Sequence, residues 1–79
     1  METKIEIQMT ITNEFGEFSG RKFIVTKEDY ESIIKVAKSF YTNGSFDLTC
    51  EDNSFMVFAP EIVQRSILKI KKRIVEDEL

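Results

Sequence analysis

The chain contains no histidine and no tryptophan, and a single cysteine and a single proline among 79 residues. The missing histidine bears most directly on chemistry. With no imidazole and with Cys50 alone, the ligand sets of zinc and other transition metals cannot be assembled. Neither a Ser–His nor a Cys–His nucleophilic pair can form. One thiol cannot build a disulfide framework, so Cys50 reads as a small buried hydrophobe. The three glycines, Gly16, Gly20 and Gly44, match neither a Walker nor a dinucleotide-binding pattern, and no serine sits in a Gly-x-Ser-x-Gly elbow. Glu51-Asp52-Asn53 is polar enough for a hard cation but too short for a calcium loop. No catalytic residue, metal site or cofactor is therefore assigned, and the chain is not expected to be an enzyme.

Long apolar runs are also missing, as is an excess of charge of one sign. No stretch reaches membrane-spanning length, and Met-Glu-Thr-Lys-Ile at the start lacks the basic and apolar regions of a signal peptide, so a cytoplasmic protein without a membrane partner is expected. A formal net charge of −3 argues neither for general nucleic-acid binding nor for mimicry of a nucleic acid. Its acids, such as Glu28, Glu31, Glu51 and Asp52, are scattered rather than gathered on one face.

What is present is apolar content: 42% hydrophobic residues with seven Phe, enough for a globular domain. Residues 1–79 read as a single domain, close to the size at which one core is barely sufficient. A second copy completing that core, hence a homodimer or higher assembly, is expected.

The patterning predicts an α+β fold, an antiparallel sheet of two hairpins in the order β-β-α-β-β-α. Ile5, Ile7, Met9 and Ile11 alternate with polar residues over Lys4–Thr12, the period of a half-buried strand. Asn13-Glu14-Phe15-Gly16 supplies a turn, and Glu17–Thr26 returns as a second strand. Phe18 is out of step there with Phe23 and Val25, and a bulge at Gly20 would restore it to their face. Tyr30, Ile33, Ile34, Ala37, Phe40 and Tyr41 then recur at helical spacing. They predict a helix over 27–42 covering one face of the sheet, with Thr26 as N-cap and Gly44 as its C-terminal stop.

The second hairpin is expected to turn at Asp52-Asn53, pairing Cys50 with Phe55, Leu48 with Val57 and Phe46 with Ala59. That register turns Met56 and Phe58 to the opposite face, together with Ile24. After Pro60, the residues Val63, Ile67, Ile70 and Ile74 fall at i, i+4, i+7 and i+11, and Leu68, Val75 and Leu79 repeat the spacing on another side. This predicts a C-terminal helix. The alternative makes Glu61–Arg65 a single helical turn and Ser66–Lys72 a final strand.

Two groups of residues are candidates for function. Ile24, Met56, Phe58, Leu68 and Val75 form an apolar interface for a second copy or a partner. Arg65, Lys69 and Lys72, spaced i, i+4 and i+7, with Lys71 and Arg73 beside them and Arg21-Lys22 as a smaller pair, could meet phosphates or an acidic partner. The competing reading is a solvated helix face, and exposed aromatics interleaved with the cations are missing.

The short Lys-, Glu-, Ile- and Phe-rich chain opens directly on a strand, continues through Thr-Lys-Glu-Asp-Tyr at its helix and reaches Phe-Met-Val-Phe-Ala-Pro-Glu-Ile-Val. In that overall style it resembles the small accessory proteins of phages that infect Gram-positive bacteria. The resemblance implies a protein that binds, occupying a host enzyme or defence protein or sequestering a signalling nucleotide. The first expectation is thus a non-enzymatic, self-associating binding or inhibitor module acting on a host protein. The second is a nucleotide-type sequestering protein that uses Arg65, Lys69, Lys72 and Arg73 between subunits. A nucleic-acid regulator ranks third, because a hairpin separates the two predicted helices and no helix-turn-helix results.

Overall fold

The computed structural model describes residues 3–77. Its centre is β1 (Thr3–Asn13), paired antiparallel along both sides. On one side lie β2 (Gly16–Ser19) and β3 (Phe23–Thr26), with Ile11 opposite Phe18, Ile7 opposite Phe23 and Ile5 opposite Val25. The break between these strands at Gly20–Lys22 keeps Phe18, Phe23 and Val25 on one face. On the other side lies β6 (Ile67–Asp77), which sets Leu68, Ile70 and Ile74 opposite Ile11, Met9 and Ile5. The chain is thus α+β and antiparallel. The apolar side of β1 defines an inner face, and its polar side an outer one.

A C-terminal helix is not what forms. The helix α2 (Pro60–Val63) is a single turn with Pro60 at its start, and β6 follows it. Ile67, Ile70, Ile74 and Val75 are β-branched and fit a pleated surface. As a strand, the segment sets its apolar residues against those of β1 and completes that strand's ladder. A helix would leave one edge of β1 without backbone partners.

The second hairpin, β4 (Phe46–Thr49) and β5 (Phe55–Phe58), pairs Phe46 with Phe58 and Leu48 with Met56, one residue away from the sequence expectation. Its loop has three residues rather than two. Asn53 takes a positive φ of 70°, its N–H donates to Cys50 O at 3.0 Å, and the Cys50 N–H donates to Ser54 O at 2.8 Å. This is a type I turn closed by a left-handed residue. Because strand side chains alternate, the extra loop residue exchanges the two faces of β5. Met56 and Phe58 point inward, whereas Phe55 and Val57 are 63% and 61% exposed.

The core therefore collects beneath the hairpin. Ile11, Phe40, Leu48, Phe58 and Val63 are buried together, with Phe18, Cys50 and Leu68 packed against them. Ring pairs Phe18–Phe58 and Phe40–Phe46 meet edge to face at centroid distances of 5.7 and 5.0 Å.

The helix expected over 27–42 to cover one face of the sheet is shorter and plays a lesser part. It is α1 (Lys27–Ala37), capped by Thr26 Oγ1, which accepts the Asp29 N–H at 3.2 Å, and none of its residues is buried. It lies against β1 and β3, at the end of the sheet where Ile5 and Ile7 are buried. Its C-cap is Lys38. Phe40–Thr42 forms a separate 3₁₀ turn, and Gly44, with φ 84°, follows that turn rather than ending the helix. Phe40, displaced from the helical stripe, becomes a core residue.

Two local features join the parts. At Gly20 the second hairpin meets the sheet: Gly20 bridges to Cys50, its N–H donates to Met9 O at 2.7 Å, and Arg21 N–H donates to Thr49 O at 2.9 Å. A Cβ at this position would stand 2.8 Å from Leu48 Cδ1 and 3.3 Å from both Met9 O and Thr49 O, so the close approach requires glycine. Near the opposite corner, buried Ser66 donates its hydroxyl to Ile62 O at 2.6 Å and accepts from Asn13 Nδ2 at 3.1 Å, while its carbonyl takes the Tyr41 hydroxyl. The resulting body is a slab of about 45 × 26 × 16 Å.

Candidate interaction surface

The outer face of the sheet carries exposed cations around a buried Thr10, and the residues on it follow from strand pairing. Antiparallel partners share a face, so β1 and β6 set Thr10 beside Lys69, Gln8 beside Lys71 and Glu6 beside Arg73. On the other flank Ser19 neighbours Thr10 and Ile24 neighbours Glu6. Lys22 shares the parity of Ile24. Lys22, Lys71 and Arg73, together with Glu6 and Gln8, line a groove of about 290 Å³. Gln8 Nε2 is engaged with Gly20 O at 2.9 Å, and the Thr10 and Ser19 hydroxyls lie 3.5 Å apart.

One of these cations is matched: Arg73 donates to Glu6 Oε1 from Nη2 at 3.2 Å and from Nε at 3.3 Å. Among the described residues Lys22, Lys69 and Lys71 form no ion pair. The outer face thus carries three lysines without an ion-pair partner among the described residues, with Glu17 beside Thr12 as a further acid on it, in a chain whose net charge is negative.

The cationic group expected from helical spacing is divided by the strand. Lys69 and Arg73 share the outer face. Lys72 turns inward, with Nζ 4.8 Å from the centroid of the Tyr30 ring. Arg65 lies before β6 and grips Glu14, with Nη1 2.9 Å from each carboxylate oxygen. The pattern Lys69-x-Lys71-x-Arg73 at period two is the signal that gathers the cations of the outer face.

The expected apolar interface is largely withdrawn into the core. Phe58 is buried, and Met56 and Leu68 pack against the central cluster. Val75 is half-buried and falls in a bulge, where the register shifts between Lys4 and Ile5. Ile24 stays exposed, at 58%. Exposed apolar residues that sequence reasoning missed include Phe15 in the first turn, Phe55 and Val57 on the outer side of the hairpin, and Ile67 and Ile74 on β6. A further apolar cleft of about 250 Å³ separates α1 from the hairpin, walled by Met9, Ile33, Val36, Phe40, Phe46 and Leu68.

Among the described residues no three His, Cys, Asp or Glu side chains gather where they could hold a metal ion. Cys50 packs against the apolar cluster. The carboxyl of Asp52 is held below its ordinary value by hydrogen bonds from the Ser54 hydroxyl, at 2.6 Å, and the Ser54 N–H, at 2.9 Å. These are turn contacts at the hairpin tip. No described helix is long and apolar enough to cross a membrane.

No family model, curated protein or solved structure matches the chain.

Proposed function

We propose that the protein is a non-enzymatic binding module whose working surface is the outer face of the sheet, and that its partner presents an acidic protein surface. The observation that carries this reading is the set Lys22, Lys69 and Lys71, which have no ion-pair partner among the described residues and stand beside Arg73 on a face that no described element covers. Exposed cations of this kind steer association and select partners by charge complementarity. The residues that strand parity places on that face include no aromatic ring for stacking a base, which favours a protein over a single-stranded nucleic acid. The resemblance to phage accessory proteins points the same way, to occupation of a host protein.

The test is retention on immobilised poly-glutamate at low ionic strength. The wild type binds despite its net charge and elutes as salt rises, and the double variant Lys22→Glu/Lys69→Glu passes through. A wild type that flows through at low salt, or a double variant retained equally well, overturns the reading. The groove bordered by Lys22, Lys71 and Arg73 favours a second reading, a phosphate-bearing small ligand. Nucleotides or cyclic dinucleotides that raise the melting temperature and displace the protein from poly-glutamate would select it.

A further inference from the structure

The chain has three asparagines, Asn13, Asn43 and Asn53, and the fold leaves only one of them reactive. Asn13 is held at both ends of its amide: Nδ2 donates to Ser66 Oγ at 3.1 Å, and Oδ1 accepts the Phe15 N–H at 2.8 Å. Asn53 precedes Ser54, whose N–H is committed to Asp52 Oδ1 at 2.9 Å. Asn43 is exposed and precedes Gly44. Neither the Asn43 side chain nor the Gly44 N–H has a hydrogen-bond partner among the described residues. A Cβ built at Gly44 would meet nothing within 4 Å, so open space surrounds this peptide.

We propose that Asn43 is the site of a spontaneous, one-way deamidation, with the Gly44 backbone nitrogen as nucleophile and water as co-reactant. The attack is intramolecular and closes a five-membered ring, so it needs no catalytic group. The Gly44 nitrogen bonds to Asn43 Cγ, the Cγ–Nδ2 bond breaks, and Nδ2 leaves as ammonia with the proton of the Gly44 N–H. Water then opens the succinimide. Addition at Cγ gives aspartate, and addition at the Asn43 backbone carbonyl gives isoaspartate, with the main chain rerouted through Cγ. No atom is oxidised or reduced. Asn43 has ψ 0°, and the peptide must turn before its nitrogen meets Cγ. Gly44 permits that turn because it has no Cβ, and residues 43–45 belong to no helix or strand.

The position gives the reaction a consequence. Phe40 and Phe46, whose rings meet edge to face at 5.0 Å, flank the site in sequence, and Asn43 borders the apolar cleft beside α1. Aspartate places a negative charge on the rim of that cleft. Isoaspartate also adds a methylene to the main chain between the two rings. The change falls at the cleft and leaves the cations of the outer face as they are, so the inference stands independently of the acidic-partner reading.

The full chain, incubated at neutral and at mildly alkaline pH, is resolved by anion exchange. Fragment-ion mass spectrometry of the tryptic peptide that spans Asn43 and Asn53 then locates the change. A form with one added negative charge accumulates, faster at the higher pH because the nitrogen attacks as its conjugate base. The change maps to Asn43 alone, part of it as isoaspartate. In urea, where the Ser54 N–H is released, Asn53 converts as well. Asn43→Gln, which would have to close a six-membered ring, loses the acidic form. The mapping on the wild type depends on no variant folding. A chain unchanged at both pH values, a native protein in which Asn53 converts as fast as Asn43, or an acidic form that persists in Asn43→Gln overturns the inference.

Discussion

The register of the β4–β5 hairpin decides which of two phenylalanines holds the protein together, and Phe58→Ala against Phe55→Ala tests it. Phe58 is 6% exposed, lies edge to face with Phe18 and belongs to the central cluster, whereas Phe55 is 63% exposed. Truncating a buried Phe removes its transfer free energy and leaves a cavity, together about 3–5 kcal/mol. Exposed positions away from special contacts usually stay within about 0.5 kcal/mol. A domain of this size has a total stability of about 4–12 kcal/mol, so Phe58→Ala removes a large fraction of it. At about 4–8 °C per kcal/mol, the melting temperature should fall by about 12 °C or more. Urea and thermal unfolding followed by circular dichroism measure both variants under the same conditions. Equal losses, or a larger loss for Phe55→Ala, would mean that the hairpin loop has two residues and that the faces of β5 are exchanged, refuting the three-residue turn at Asn53.

Two further outcomes follow from single contacts. Gly20→Ala forces a Cβ toward Leu48 and two backbone carbonyls at the junction of hairpin and sheet, and should cost about 1–3 kcal/mol in urea denaturation. Asp52 has a depressed carboxyl value, so its share of hairpin stability is fully present above the ordinary carboxylate range and fades as pH falls through the lowered folded value. Thermal melts at descending acid pH should show Asp52→Asn losing less stability than the wild type across that window, and parallel curves would remove the role given to Ser54.

The first half of the fold was legible because its signals were local. Strict alternation marked β1, Thr26 marked the helix start, and the parity clash at Phe18 marked the break near Gly20. The second half turned on features that period alone cannot carry. Ile67, Ile70 and Ile74 fit a helical seam as well as a strand, and what favours the strand is the vacant side of β1, more than fifty residues away in sequence. The hairpin faces depended on one loop residue, Asn53, adopting positive φ. Both differences passed directly to the candidate site. The strand separated Lys72 and Arg65 from Lys69 and Arg73, and the register took Met56 and Phe58 from the surface into the core.

The pairing of β1 with β6 also governs when this molecule can fold. Thr3 lies opposite Asp77 and Thr12 opposite Ile67, so the first strand meets its second partner only after more than fifty further residues have been made. Closing so long a loop costs entropy before any pairing compensates for it, and contacts of such sequence separation slow folding. During synthesis the β1–β2–β3 meander has one side of β1 vacant until β6 has been made. A nascent chain halted before Ile67 exposes that side to other nascent chains. Removing β6 therefore takes away an edge strand whose loss leaves the central strand β1 paired along one side alone.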